Sequence, residues 1–144
     1  MDVSVKGQYA LRAIFEICSR TSAEPMKIAE IASRQNIPRK FLELILSQLK
    51  QGGFLASRRG AGGGYYLVLP PDRITVGAVL RHIEGPTSAT RRRENSNAPA
   101  DSPFPELWEE VDRALSSVLD RTTFADLVSR WKEKKSREVI NWAI

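Results

Sequence analysis

The side chains of this sequence best placed to do chemistry are cationic and outward-facing, not nucleophilic. Arg39, Lys40, Glu43 and Ser47 fall at i, i+1, i+4 and i+8, one face of a helix. Such a face carries the donors and acceptors needed to meet base edges in a DNA major groove. Glu43 there would accept from a cytosine amino group or position a neighbouring arginine. Shortly afterwards Arg58 and Arg59 run into Gly60-Ala61-Gly62-Gly63-Gly64. Missing side chains let that backbone approach a phosphate or groove closely while the arginines supply charge. The inventory for catalysis is thin. A single cysteine, Cys18, cannot form an internal disulfide or a site of several thiolates, and a single histidine, His82, leaves little for imidazole chemistry. No catalytic residue, metal ligand set or cofactor site is nominated, and the chain reads as a non-enzyme.

The elements that must position these groups follow from apolar spacing. Ala10, Leu11, Ile14, Phe15 and Cys18 form the stripe of a first helix over Gly7 to Arg20, with Arg12, Glu16 and Ser19 off it. A short second helix covers Lys27 to Ser33 and ends near Asn36, a residue suited to a turn. Pro38 suits the first turn of a third helix. Its buried face would hold Phe41, Leu42, Ile45, Leu46 and Leu49, and Gly52-Gly53 would end it. Strand-like runs 54–59 and 65–69 flank the glycine turn and stop at Pro70-Pro71, which reads as a two-stranded hairpin. Thr75 caps a fourth helix through Val76, Val79, Leu80 and Ile83, closing at Gly85-Pro86.

Residues 87–103 contain two prolines and the run Arg91-Arg92-Arg93, with no apolar period, and read as a linker. Beyond it Phe104, Leu107, Trp108, Val111, Leu115, Val118 and Leu119 form a long amphipathic stripe that needs a partner surface. A shorter helix through Phe124, Leu127, Val128 and Trp131 follows a cap at Thr122 or Thr123 and precedes the charged Lys132-Glu133-Lys134-Lys135. The expected organisation is thus 1–86 as a winged helix-turn-helix unit, 87–103 as linker, and 104–144 as a helical dimerisation region with a tail. The fold class is mainly α with one small β-hairpin.

Length and charge agree with that division. With 144 residues, 42% hydrophobic and 27% charged, the chain has ordinary globular composition, which excludes collagen, a solenoid and wholesale disorder. No apolar stretch approaches the roughly 18 residues of a membrane span, and the start lacks a signal peptide's apolar run, so a soluble, cytoplasmic protein is expected. Residues 1–85 carry 12 Lys and Arg against 7 Asp and Glu, a net of +5, whereas 86–144 carry 10 against 10. A basic module that meets a polyanion is joined to one that makes protein contacts.

The order of these parts resembles the IscR/CymR-type winged-helix transcription regulators of the bacterial Rrf-two family. The matching residues are Val5-Lys6-Gly7-Gln8-Tyr9-Ala10-Leu11, Phe41-Leu42-Glu43-Leu44-Ile45-Leu46, Arg58-Arg59-Gly60 through Gly64-Tyr65, and Ile74-Thr75-Val76 to Ile83-Glu84-Gly85-Pro86. The resemblance implies a homodimer on pseudo-palindromic double-stranded DNA, with the long helix exchanging contacts with the other subunit. DNA contacts are expected from Lys6, Arg39, Lys40, Phe41, Glu43, Arg58, Arg59 and Gly60, and dimer contacts from Phe104 through Leu119. Cluster-holding members carry three cysteines after the fourth helix, and the matching stretch Thr87 to Pro103 has none. No cluster is therefore expected, and Leu107-Trp108 and Val118-Leu119-Asp120-Arg121-Thr122-Thr123 resemble the dimer helix of the cluster-free, CymR-like branch, which represses cysteine and sulphur genes and acts with cysteine synthase. The apolar Trp142 and Ile144 resemble the carboxylate-ended tail by which serine acetyltransferase docks into that enzyme.

Other signals are set aside. The glycine run is followed by strand, so no helix N-terminus faces a nucleotide phosphate there. His82 and Cys18 read as packing residues, and the two tryptophans Trp108 and Trp131 as core or dimer contacts. The rival reading is a winged helix that no longer binds DNA and regulates an enzyme such as cysteine synthase through its tail.

Overall fold

The computed structural model describes residues 2–85, 97 and 99–143. Helix α1, Val5–Cys18, starts two residues ahead of the expected Gly7 because Ser4 caps it, its Oγ accepting from the Gly7 amide at 3.0 Å. Helix α2, Ile28–Gln35, ends at Asn36 with φ 53°, the left-handed geometry that asparagine tolerates. Helix α3, Arg39–Gln51, follows at once behind Pro38. Strands β1, Leu55–Arg58, and β2, Gly64–Leu67, pair antiparallel with Leu55 opposite Leu67 and Arg58 opposite Gly64. A 3-10 turn at Pro71–Arg73 leads to α4, Val76–Glu84, where Thr75 Oγ1 accepts from the Ala78 amide at 3.1 Å. Most of the expected linker lies outside the described residues. Helices α5, Phe104–Arg121, and α6, Phe124–Ala143, complete a mainly helical fold with one hairpin, as expected. Among the described residues no helix is long and apolar enough to cross a membrane.

One core joins all of this. Ile14 from α1, Ile31 from α2, Ile45, Leu46 and Leu49 from α3, and Val79 from α4 are wholly buried together. Phe124 from α6 belongs to the same cluster. The chain reaches it by turning back after α5: Val76 donates its amide to the Thr122 carbonyl at 2.9 Å, and Phe124 donates to Ile74 at 3.0 Å. At that turn a reciprocal cap starts α6, with Thr123 donating to Asp126 Oδ2 at 3.0 Å and Asp126 to Thr123 Oγ1 at 3.1 Å. The backbone hydrogen bond from Thr123, then that from its hydroxyl, lowers the Asp126 carboxyl below its ordinary value. This cap is complete at neutral pH and is lost only as pH falls through that lowered value.

Two glycines allow helices to cross closely. A Cβ on Gly77 would strike the Asp120 carboxylate of α5, which instead pairs with Arg81 at 2.6 Å. A Cβ on Gly7 would strike the Glu84 carboxylate, which accepts from the amide and hydroxyl of Ser4 at 2.6 Å each.

Four sequence expectations are corrected. Phe41 is 57% exposed, because the core takes only the narrower stripe Leu42, Ile45, Leu46 and Leu49, leaving Phe41 at its margin against the Tyr9 ring edge. Glu16, expected off the apolar stripe of α1, is buried at 8% exposure, with Gln35 Nε2 donating to it at 3.1 Å. The last helix does not end before Lys132; it continues to Ala143, since Lys and Glu are good helix formers and a charge run is no stop signal. The strands are also shorter than the apolar runs that marked them.

Phe124→Ala would empty the centre of this core. The expected loss of stability is about 3–5 kcal/mol, read by urea unfolding monitored by circular dichroism. A loss below about 1 kcal/mol would mean that α6 is not part of the cooperative unit.

Candidate nucleic-acid interface

The turn from α2 into α3 leaves the first turn of α3 in solvent, with Arg39, Lys40, Phe41 and Glu43 exposed. Its leading amides have no partner within the helix, and they add positive potential to the two cations. Arg39 Nε stands 3.9 Å from Glu43 Oε1, and both side chains are more than half exposed. An exposed i,i+4 pair is worth about 0.3–0.5 kcal/mol, so Arg39 can leave Glu43 for a base or phosphate at little cost. Of the two roles open to Glu43, positioning an arginine matches this geometry. Ser47 is exposed one turn further on.

The hairpin is held beside this helix at two places. Lys50 Nζ donates to Ser57 Oγ at 2.7 Å, joining the end of α3 to β1. Met26 and Tyr65 exchange backbone hydrogen bonds at 2.8 Å each, so the segment before α2 acts as a third, one-residue strand on β2. Gly64 permits that pairing: its φ is +144°, and a Cβ there would run into the Met26 carbonyl. At the tip Gly60 has φ +102° with open space around it, and Gly63 donates to its carbonyl at 3.0 Å. The Arg58 guanidinium lies 5.8 Å from the centroid of the Tyr66 ring, and Arg59 is exposed.

The predicted contact residues thus fall into two groups, Arg39 to Glu43 at the start of α3 and Arg58 to Gly60 on the hairpin, which is tethered to the far end of α3. Lys6 lies apart from both, half-buried on the first turn of α1. Sequence reading missed Tyr66, Tyr9 and Arg12. Tyr66 orients Arg58, and Arg12 stacks 5.2 Å from the Tyr9 centroid beside Phe41. Their alternation with apolar neighbours was a signal for Tyr66, whereas the Tyr9–Phe41 contact crosses two helices and had none.

On α5 the predicted stripe divides. Phe104, Leu107, Trp108, Val111 and Val118 are exposed, Leu115 is half-buried, and Leu119 turns back onto the core near α4. At the end of α6, Trp142 is 91% exposed, and Ile144 lies outside the described residues. His82 packs edge-on to Phe54, and its Nε2 is 2.7 Å from the Gln48 carbonyl at the end of α3. Cys18 is half-buried, and desolvation pushes its thiol up to about 12.

A helix-turn-helix with an exposed cationic second helix and a hairpin pinned against it defines a winged-helix transcription regulator. The chain belongs to the Rrf2 family, whose model, described as an iron-dependent transcriptional regulator, matches residues 3–130. It is similar to the HTH-type transcriptional regulator CymR of Bacillus subtilis, 38% identical over 129 residues, covering 90% of this chain and 91% of that one. The solved structure of CymR, there called the global cysteine regulator of B. subtilis, superposes with a TM-score of 0.78 at 35% identity, covering 90% of this chain and 98% of that one. That of T. potens IscR gives 0.79 at 32%, covering 93% and 90%. These relatives are regulators, not enzymes. The donor set does not fit the iron of the family description: the sequence holds one cysteine and one histidine, in separate packed positions. Among the described residues no three His, Cys, Asp or Glu side chains converge.

A thiol raised that far is almost wholly protonated at pH 8. Iodoacetamide should leave Cys18 unmodified in the folded protein and label it rapidly after denaturation, as intact mass would show. Fast labelling of the native state would place Cys18 among reactive thiols.

Proposed function

We propose that this protein is a homodimeric, sequence-specific DNA-binding repressor that works without an iron–sulphur cluster. The observation that carries the reading is the exposed cationic first turn of α3 together with a hairpin, tethered to the end of the same helix, that exposes Arg58, Arg59 and an open Gly60. In this reading residues 1–86 grip DNA. Arg39, Lys40, Phe41 and Glu43 read the major groove, and Arg58, Arg59, Gly60 and Lys6 meet phosphates or the minor groove. Residues 87–103 link this unit to the dimer-forming part in 104–144. The exposed Phe104, Leu107, Trp108, Val111 and Val118 supply an apolar face, and its twofold self-association would set two α3 helices to face two half-sites. Control of cysteine or sulphur metabolism is favoured by the similarity to CymR. A cytoplasmic location goes with this role.

A second reading has the protein act on an enzyme such as cysteine synthase through its tail, without DNA. The nearly complete exposure of Trp142 favours it. Salt separates the two, because DNA binding releases counterions and an apolar contact does not.

Fluorescence anisotropy against the protein's own upstream DNA and a scrambled duplex, at two salt concentrations, tests the first reading. The native duplex should bind selectively and with a steep salt dependence, and the same sample should lack the visible absorbance of a cluster. Arg59→Ala should weaken binding by about 1–3 kcal/mol. Full affinity in that variant would remove the wing from the interface. Leu107→Glu should shift sedimentation equilibrium from dimer to monomer, and an unchanged dimer would move the subunit contact away from α5.

A further inference from the structure

Away from the DNA face, a cleft of about 590 Å³ opens between the end of α1, α2 and α6. Small-molecule sites span roughly 300–1,000 Å³. Its charged lining consists of Glu16 and Arg20 from the first helix and its exit, Glu30 and Arg34 from α2, and Lys135 from α6. Three cations face two carboxylates, a surplus of one positive charge. Both carboxylates are already engaged. Gln35 Nε2 and the Ser19 hydroxyl donate to Glu16 at 3.1 and 3.5 Å, and Glu30 lies 3.6 Å from each of Arg20 and Arg34.

The cations are less well supplied. Arg20 Nη1 is buried with no hydrogen-bond partner, since 3.6 Å to Glu30 is too long for one. Buried guanidinium donors are normally satisfied, and the planar fork of arginine matches a carboxylate. Lys135 Nζ is held 4.3 Å from the Trp131 ring centroid, with no carboxylate of the described residues within ion-pairing distance. Trp131 meets Phe15 edge to face at 5.7 Å, which gives the cleft one apolar wall.

We propose that this cleft binds a small organic carboxylate. The carboxylate oxygens accept from the Arg20 guanidinium, which lines the cleft, and offset the surplus charge, and the apolar body lies on the Trp131 and Phe15 wall. Trp131 and Lys135 stand beyond residue 130, where the match to the family model ends. A ligand there bridges α2 to α6, and α2 is one turn from the DNA-facing α3 through Asn36. Resting on the regulator reading above, the carboxylate is then an effector whose binding and operator binding are linked.

The test uses the full chain with Trp108→Phe and Trp142→Phe, which leaves Trp131 as the sole indole. Acetate, pyruvate and benzoate are titrated against its emission, with benzamide and chloride as controls. At least one carboxylate should saturate the signal with a Kd near or below about 1 mM. Benzamide should give no response. Arg20→Gln and the exposed Lys135→Met, each checked for folding by circular dichroism, should weaken binding about tenfold or more. No saturation by any carboxylate, an equal response to benzamide, or indifference to both substitutions would overturn the site. Because the titration is read without DNA, its failure leaves the DNA reading intact, and loss of DNA binding with saturation retained would fail that reading alone. Operator affinity unchanged by a saturating carboxylate would overturn its role as effector.

Discussion

The structure turns on the short backbone pairing between residues 74–76 and 122–124. Two hydrogen bonds there, Val76 to Thr122 and Phe124 to Ile74, let the chain leave α5 and re-enter the core with Phe124 at its centre. Without that return, α5 and α6 would have no fixed relation to the helix-turn-helix. With it, the orientation of α5 is set by the same core that sets α3. Close crossing of α4 and α5 at Gly77, and the Arg81–Asp120 pair beside it, reinforce the angle. A backbone pair is directional where apolar burial is not, which is why so short a contact can fix a long helix. The exposed face of α5 therefore stands at a defined place relative to the exposed first turn of α3.

A parallel economy governs the hairpin. Two four-residue strands alone would be marginal in water. The exchange between Met26 and Tyr65 adds a third pairing, and Lys50 adds a tether from α3. The hairpin is thereby fixed to both helices of the helix-turn-helix, and its arginines move with α3 as one surface. The glycine tip is left open, with nothing within 4 Å of a Cβ at Gly60 or Gly62, where backbone approach to a phosphate is easiest. The weak Arg39–Glu43 pair serves the same end, keeping a cation ordered without holding it strongly.

Much of this was legible in the residues. The apolar stripes of α1 to α4, the caps at Thr75 and Asn36, and the glycine turn are local signals, each set by steric or hydrogen-bonding preferences within a few residues. They agree with one another, so the winged-helix order followed. The errors share a cause. Phe41 fitted the helical period, but periodicity cannot tell how wide a stripe the neighbouring helices will cover. Glu16 looked solvent-facing, but α2 supplies Gln35 as a donor, which satisfies a carboxylate in a buried position. The length of α6 is not legible locally, because the charged run Lys132-Glu133-Lys134-Lys135 suits a helix end although nothing in it breaks a helix.

By itself the sequence determined the order and type of the elements, the excess of positive charge in 1–85, and the scarcity of metal-binding and catalytic groups, because these are properties of residue type and short-range spacing. Tertiary structure alone decided that Phe124 completes the first core, that Leu119 turns inward while Trp108 and Val111 stay in solvent, and that α1, α2 and α6 enclose a cleft lined by Arg20, whose Nη1 makes no hydrogen bond among the described residues. Each of those depends on contacts between residues far apart in the chain, where the packing of the partner, and not the residue's own preference, fixes which side of a helix is covered.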